Sequence, residues 1–178
     1  MIWFISDEHY GHEAIIRYCG RPFADAAEMG HAIRKACMSA FRKGDTVWHL
    51  GDYGFYDESF SLRDMPGTHL ITRGNHDRGP VSLANAGFTV VESAVVRWNG
   101  KNILLRHKPL YDPLPEGIDG VFHGHIHNGL PEDLIAANER PIVPWYNVNL
   151  CVEKTQYKPV SYKIALRMLA KQRKTYEY

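Results

Sequence analysis

The chain has 178 residues, of which 44% are hydrophobic and 23% charged, and its formal net charge is +1. These values are typical of a soluble globular protein, and we predict one domain over residues 1–178. The near-neutral charge argues against an obligatory long nucleic acid partner, whereas short or small anionic substrates remain compatible with it. No apolar run approaches the roughly 20 residues of a membrane helix, so no membrane partner is expected.

The cysteines indicate the redox environment. Cys19, Cys37 and Cys151 are odd in number, widely spaced and without a Cys-x-x-Cys pairing. This pattern argues against a disulfide framework and against a thiolate zinc site. We therefore expect a reducing, cytoplasmic location.

The first predicted strand, Ile2 to Ser6, leads directly into polar side chains. Asp7 and His9 are two residues apart, a spacing that in extended backbone places a carboxylate and an imidazole on the same side. Such a pair can bind one metal ion. The alternative is that both residues belong to an ordinary polar loop after the strand. His12 follows at a predicted helix start, as a substrate contact, a helix cap or a residue that supports the ligands.

Two further strands also end in polar residues. An amphipathic helix over Asp25 to Arg42 is followed by a strand, Thr46 to Leu50, that ends in Gly51-Asp52. The strand Thr68 to Thr72 then leads into Gly74-Asn75-His76-Asp77. Sites in open α/β sheets lie at the carboxyl ends of strands, so these ends indicate a common site.

The Asn75-His76-Asp77 turn combines three chemical groups. An Asn amide oxygen is a hard, neutral metal ligand, and a His titrates near neutral pH. An adjacent Asp can fix the tautomer of that imidazole. The alternative is an Asx-turn with a solvated His76.

The second half of the chain supplies more histidines. Thr89 to Trp98 and Lys101 to Leu105 predict a hairpin that turns at Asn99-Gly100, and His107 follows its second strand. After the strand Gly120 to Phe122, His125 and His127 repeat the two-residue spacing of the first motif. Val148 to Val152 predicts a last strand and Ser161 to Thr175 a terminal helix with a basic, solvated face.

These residues give seven candidate metal ligands, too many for one tetrahedral ion. The candidates are Asp7, His9, Asp52, Asn75, His107, His125 and His127. We predict that Asp52 bridges two ions. Asp7, His9 and His127 would complete one ion, and Asn75, His107 and His125 the other. Oxygen and nitrogen donors without thiolate suit Mn first, with Fe, Zn, Ni or Co as alternatives.

Two divalent ions of this kind predict hydrolysis of a phosphate ester by a bridging hydroxide. His76 lies beside a ligand but is not needed as one. We therefore predict that His76 is the general acid for the leaving oxygen, or a cation that stabilises the phosphorane-like charge, with Asp77 orienting it.

The ordered motifs carry a family resemblance. Asp7-x-His9, Gly51-Asp52, Gly74-Asn75-His76-Asp77, His107 and Gly124-His125-x-His127 resemble the five motifs of the calcineurin-like metallophosphoesterases. Ser6 to His12 is similar to the opening of the small prokaryotic and phage members. The resemblance implies one catalytic domain with a four-layer αββα sandwich of two mixed sheets flanked by helices. It also implies a dinuclear site with the ligand partition given above. Small members are often dimers or larger, so a homo-oligomer is among the expectations.

Several functions remain open at this point. The leading prediction is a phosphodiesterase for a small or accessible ester, because members with a His beside the Asn ligand are associated with diester cleavage. The alternatives are a phosphomonoesterase, a protein-binding scaffold of the same fold, and a nuclease for short oligonucleotides. The nuclease would stack bases on aromatic residues, for which the candidates are Trp48, Tyr53, Phe55, Tyr56 and Trp145.

Three arginines flank the motifs. Arg73, Arg78 and Arg106 are candidates, with His12, for holding phosphate oxygens, since the guanidinium matches phosphate geometry. The alternative for each arginine is a surface salt bridge.

Overall fold

The structure, a computed structural model, describes residues 1–54, 61–129 and 145–176. Its first sheet has five strands in the spatial order β4-β3-β2-β1-β9. Their bounds are β1 (Ile2–Ile5), β2 (Thr46–His49), β3 (Thr68–Thr72), β4 (Thr89–Val91) and β9 (Val160–Ser161). Strands β1 to β4 pair in parallel, and β9 is antiparallel to β1.

The second sheet has four strands in the order β5-β6-β7-β8. Their bounds are β5 (Ala94–Trp98), β6 (Lys101–Leu105), β7 (Gly120–His123) and β8 (Asn147–Asn149). The β5–β6 hairpin turns at Asn99 and Gly100, whose φ angles of 49° and 74° give the left-handed turn that Asn-Gly favours. The other pairs in this sheet are parallel.

The two sheets face each other and helices flank them. Phe4 of β1 packs with Leu105 and Phe122 of the second sheet, whereas the adjacent Ile5 packs with Ile33 on the opposite face. This alternation is why the strands are apolar throughout: both faces of the first sheet are covered. The helices are α1 (Glu13–Cys19), α2 (Ala26–Ala40), α3 (Pro80–Asn85) and α4 (Tyr162–Tyr176). The predicted class, two mixed sheets with flanking helices, is confirmed.

One predicted strand is wrong. Thr89 to Trp98 was expected as a single strand, but Thr89–Val91 pairs with β3 in the first sheet and Ala94–Trp98 pairs with β6 in the second. The two residues between them carry the chain from one sheet to the other. The last strand was predicted over Val148 to Val152. The structure has β8 there, which is shorter and ends at Asn149.

Among the described residues, no helix combines the length and the apolar character needed to cross a bilayer.

Candidate metal centre

The seven predicted ligands follow five strands that end on the same side of the two sheets. Strands β1, β2 and β3 are parallel, and their carboxyl ends lead to Asp7, Asp52 and Asn75. Strands β6 and β7 are also parallel and lead to His107 and to the His125–His127 loop. The side chains from both sheets converge there in two clusters.

The first cluster consists of Asp7, His9 and His127, whose donor atoms all lie within 4.8 Å of one another. Asp7 Oδ1 is 3.6 Å from His127 Nε2 and 4.0 Å from His9 Nε2. His9 Nε2 is buried and has no hydrogen-bond partner among the described residues. Because an unpaired buried nitrogen is costly, this atom indicates a bound group such as a metal ion.

The second cluster consists of Asp52, His107 and His125, whose donor atoms also lie within 4.8 Å of one another. His107 Nε2 lies 3.4 Å from Asp52 Oδ2 and 3.0 Å from Asn75 Oδ1. Asp52 Oδ2 also lies 3.7 Å from His9 Nε2 in the first cluster. One carboxylate oxygen therefore faces both clusters, as a bridging ligand would.

The donor set fits divalent ions. Donors bound 2.0–2.2 Å from one ion lie about 3.0–3.6 Å from each other, and the spacings in both clusters approach this range. His107 Nδ1 is 2.8 Å from the Leu50 carbonyl oxygen, which can only accept, so Nδ1 carries the proton. His127 Nδ1 has a similar partner in Glu153 Oε1 at 3.0 Å. Both imidazoles are thus left with Nε2 for a metal.

Five of the seven ligands have a left-handed backbone. Their φ angles are 60° for Asp7, 53° for His9, 54° for Asp52, 74° for His125 and 45° for His127. This finding corrects the extended backbone that we expected for the two Asp/His-x-His motifs. Left-handed residues other than glycine are uncommon and costly, and they occur preferentially at functional sites.

Two glycines make room for the ligand carboxylates. A Cβ on Gly124 would lie 2.0 Å from Ser6 Oγ and 2.1 Å from Asp7 Oδ2. A Cβ on Gly74 would lie 2.1 Å from Asp52 Oδ1. Both contacts are far shorter than a Cβ tolerates, so these positions exclude every larger residue unless the carboxylate moves.

Hydrogen bonds direct the Asp7 carboxylate. Oδ2 accepts from Ser6 Oγ at 2.5 Å, from Cys151 Sγ at 3.2 Å and from the His125 amide at 3.0 Å. Oδ1 is the oxygen nearest the two histidines of its cluster. Burial raises the pKa of Asp7 above its ordinary value, against the effect of His127 and His107.

The remaining charges of the site are strongly coupled. Burial acts to raise the pKa of Asp52, but the hydrogen bond and charge of His107 outweigh it and lower that pKa to about 2. Burial acts to lower the pKa of His127, but Cys19, Glu153 and Asp7 raise it to about 10. Burial lowers the pKa of His9 to about 3. The charged forms of these imidazoles and carboxylates thus stabilise each other.

Asp77 has a different role from the predicted one. Its Oδ2 accepts from the backbone amides of Asp52 and Gly74, and its Oδ1 from that of Tyr53, each at 2.8 Å. None of the hydrogen bonds of the described residues joins it to the His76 imidazole. Asp77 therefore ties the Asn75 loop to the Asp52 loop, because an ionised carboxylate is the natural acceptor for several amides.

His76 and His12 lie beside the first cluster. The His76 ring centroid is 5.4 Å from that of His9, and the His12 centroid is 5.2 Å from it. The centroids of His76 and His12 are 6.1 Å apart. The His76 amide donates to Asp52 Oδ1 at 2.8 Å, and its side chain is exposed. Two further imidazoles therefore lie next to His9 of the first cluster.

The three predicted phosphate-binding arginines do not contact the candidate metal ligands. Arg73 and Arg78 are exposed and Arg106 is half-buried. No hydrogen bond or ion pair of the described residues joins their side chains to a candidate ligand. Their contact with substrate stays a prediction.

Sequence reasoning did not predict the contacts of two buried polar networks behind the ligands. Glu8 Oε1 is 2.6 Å from His49 Nδ1, and His49 Nε2 is 3.0 Å from His69 Nδ1. Arg21 and Glu153 form a buried ion pair at 2.6 Å. A usable signal existed for Glu153, because it directly follows the apolar segment of residues 148–152. Nothing in the local sequence distinguished Arg21.

The α/β fold and the two clusters are typical of a metal-dependent hydrolase. The chain belongs to the calcineurin-like phosphoesterase superfamily, whose domain description matches residues 1–133. It is therefore, in general terms, a metal-dependent phosphoesterase, and the family assignment made from the motifs is confirmed.

Two similar proteins cover nearly all of the chain, and a third covers less than half of it. The uncharacterized protein MJ1445 of Methanocaldococcus jannaschii is 31% identical over 181 residues, which covers 96% of this chain and 92% of that protein. The Gene 66 protein of Mycobacterium phage L5 is 38% identical over 85 residues, or 44% of this chain and 40% of that one. The crystal structure of AQ665, a protein of unknown function from Aquifex aeolicus, has a TM-score of 0.74 at 26% identity. It covers 94% of this chain and 98% of its own.

Proposed function

We propose that the chain is a phosphodiesterase that uses two divalent metal ions, Mn²⁺ first among them, on a small or accessible phosphodiester such as a short nucleotide. One ion would be held by Asp7, His9 and His127, and the other by Asn75, His107 and His125, with Asp52 shared. When bound, such ions polarise the phosphoryl group and activate water as a nucleophile.

The observation that carries the diester proposal is the position of His76. Its backbone is fixed to Asp52 by the 2.8 Å hydrogen bond, yet its imidazole is exposed and outside both clusters. It is thus held beside the candidate ligands and remains available to substrate. An alkoxide is a poor leaving group, so diester cleavage gains from a proton donor at this place.

His12 places a second imidazole next to His9 and His76. Its Nδ1 lies 3.2 Å from His9 Nδ1, and its amide donates to the His9 carbonyl. We propose that His12 contacts a nonbridging phosphate oxygen while His76 donates its proton to the leaving oxygen. A phosphate that lies to one side of both imidazoles can contact the two rings, since their centroids are 6.1 Å apart.

The direct test compares bis(p-nitrophenyl) phosphate with p-nitrophenyl phosphate on chelator-stripped protein, before and after addition of Mn²⁺. We expect diester hydrolysis that vanishes on chelation and returns with the metal. Absence of turnover of both esters with Mn²⁺, Ni²⁺, Co²⁺, Fe²⁺ and Zn²⁺ would contradict the proposal.

The role of His76 is tested by His76→Ala, with His31→Ala on the exposed face of α2 as the matched control. Loss of a general acid costs about 10²–10⁴-fold, so we expect turnover of a diester with an alkoxide leaving group, such as a cyclic nucleotide, to fall in this range. Turnover of the two p-nitrophenyl esters should persist, because p-nitrophenolate leaves without a proton. Equal loss of activity on all of these esters would show that His76 supports the site rather than protonating the leaving group.

The structure weakens the case for a nuclease. Trp48 and Tyr53, two of the predicted stacking residues, are 7% and 3% exposed and belong to the core. Phe55 and Tyr56 lie outside the described residues. Trp145 is 38% exposed and packs on Tyr146. We therefore place small diesters ahead of oligonucleotides as substrates.

A further inference from the structure

A buried ion pair lies directly behind the first cluster. The side chains of Arg21 and Glu153 are 0% and 1% exposed. Arg21 donates from Nε and Nη2 to Glu153 Oε1 at 2.9 and 2.6 Å. Burying a charged pair is costly, and replacing such a pair by apolar residues is often neutral or stabilising. Its presence at this place therefore calls for a functional explanation.

The guanidinium of Arg21 also holds the loop that carries two ligands. Nη2 donates to the Asp7 carbonyl at 2.7 Å, and Nη1 donates to the Glu8 carbonyl at 3.0 Å. Asp7 is one of the left-handed residues, with φ 60°. Arg21 thus holds the carbonyls of Asp7 and Glu8 in place. The backbone at Asp7 cannot relax to extended geometry without breaking these charged hydrogen bonds.

Glu153 holds the other loop of the same cluster. Its Oε1 accepts from His127 Nδ1 at 3.0 Å while it accepts from Arg21. A carboxylate in this position fixes the ring orientation and leaves Nε2 directed at the metal position, 3.6 Å from Asp7 Oδ1. One ion pair therefore joins the Asp7–His9 loop to the His127 loop.

The second cluster is supported differently. His107 Nδ1 donates to a neutral backbone carbonyl, that of Leu50, at 2.8 Å. The Arg21–Glu153 pair contacts none of Asp52, Asn75 and His107 through the hydrogen bonds of the described residues. Its direct contacts are thus with the first cluster and not with the second.

We propose that Arg21 and Glu153 are positioning residues that set the affinity of the first cluster for its metal ion and leave the second cluster unaffected. This inference rests on the two-ion part of the proposed function, and it is independent of whether the substrate is a diester. Loss of a hydrogen-bond partner behind a metal-binding histidine typically weakens metal binding 10–100-fold.

The test is a titration of chelator-stripped protein with Mn²⁺, followed by calorimetry and by competition with a chelator of known affinity. Wild type is expected to bind two ions. Glu153→Gln, which keeps the shape of the side chain and removes its charge, should weaken one binding step by about 10–100-fold and leave the other unchanged. Asp119→Asn is the matched control, since it removes a carboxylate that pairs with Lys101 at 2.7 Å on the surface.

A second set of variants assigns the weakened step. In a His107→Ala background, which disables the second cluster, Glu153→Gln should still weaken the remaining step. In a His127→Ala background it should have no further effect, because the imidazole that it positions is absent. Arg21→Lys, which keeps the charge but cannot form all of these contacts, should reproduce the weaker binding even if Glu153→Gln folds poorly.

Three results would overturn the inference. Equal weakening of both steps would show general damage, and no weakening would show that the pair does not support the ligands. An unchanged effect of Glu153→Gln in the His127→Ala background would exclude action through that imidazole. Wild-type protein that binds no metal would refute the proposed function as well, whereas the first three results leave it standing.

Discussion

Gly74 provides a sharp test of the crowded geometry around Asp52. A Cβ at this position would lie 2.1 Å from Asp52 Oδ1 and 2.4 Å from the Asp52 amide nitrogen. The backbone of Gly74 is not left-handed, so alanine is conformationally acceptable there. The effect of Gly74→Ala therefore comes from the clash alone.

The size of the effect of Gly74→Ala follows from how far the new Cβ and Asp52 Oδ1 must move apart. Nonbonded carbon and oxygen atoms need at least about 3 Å, so the carboxylate or the turn must move by about 1 Å. This shift would break the contact of Asp52 Oδ1 with the His76 amide and move Oδ2 away from both clusters. Overpacking of this kind costs about 1–3 kcal/mol of stability, and a 1 Å displacement at a reaction centre costs about 100-fold in rate.

Three measurements on Gly74→Ala check this reasoning: urea unfolding, Mn²⁺ titration, and hydrolysis of the diester probe. The control is Gly79→Ala, since a Cβ there has nothing within 4 Å and Gly79 only precedes α3. We expect the control to lose less than about 1 kcal/mol, through the weaker helix cap. Wild-type metal affinity and turnover in Gly74→Ala would refute the proposed position of Asp52 between the clusters.

Three further predictions concern stability. Asp77→Asn should lower the free energy of unfolding by about 1.5–3 kcal/mol, since an amide cannot accept from all three backbone donors of Asp77; the exposed Asp64→Asn should change it by less than about 0.5 kcal/mol. Saturation with Mn²⁺ at 100 times its Kd should add about 2.7 kcal/mol per site, which thermal unfolding would detect as a rise of about 5–10 °C that chelation reverses. Burial lowers the pKa of His49 to about 3 in the folded protein, against about 6.5 when unfolded. The unfolded chain then binds the extra proton, so stability is lost as the pH falls from about 6.5 toward 3, by about 1.4 kcal/mol at pH 5.5. His49→Gln should remove this part of the acid slope in urea unfolding and His31→Gln should retain it; equal slopes in all three proteins would contradict the buried, neutral His49.

Strand ends were predictable from the sequence because they depend on local pattern. The apolar runs before Asp7, Asp52 and Asn75 identified β1, β2 and β3 almost to the residue. Parallel pairing then required these ends to lie together, since parallel strands share a carboxyl edge. The same logic failed for Thr89 to Trp98, where a continuous pattern hides a change of sheet that only tertiary pairing decides.

Local sequence patterns could not predict contacts between residues that are distant in the chain. Arg21 and Glu153 are 132 positions apart, and neither belongs to a motif that names the other. Asp77 was assigned to its neighbour His76 because the two are adjacent in sequence. Its three amide partners instead come from the turn before it and from the loop after β2. Sequence adjacency is thus a poor guide to which group a loop carboxylate binds.

Five of the ligands have a left-handed backbone. This backbone explains why the strand ends predicted the positions of the ligands correctly but the extended spacing rule did not predict the directions of their side chains. Each such residue costs about 1–2 kcal/mol, and five of them together approach the net stability of a small domain. Hydrogen bonds offset this cost: the amides of Asp7 and His9 donate to the carbonyls of Gly51 and Asp52 at 3.0 and 3.1 Å. These bonds continue the pairing of β1 with β2 beyond the ends of both strands. The ligand loops therefore stay in the register that the strands set, which is why strand ends located the ligands. The direction of each side chain depends on the left-handed turns, which the extended spacing rule does not describe.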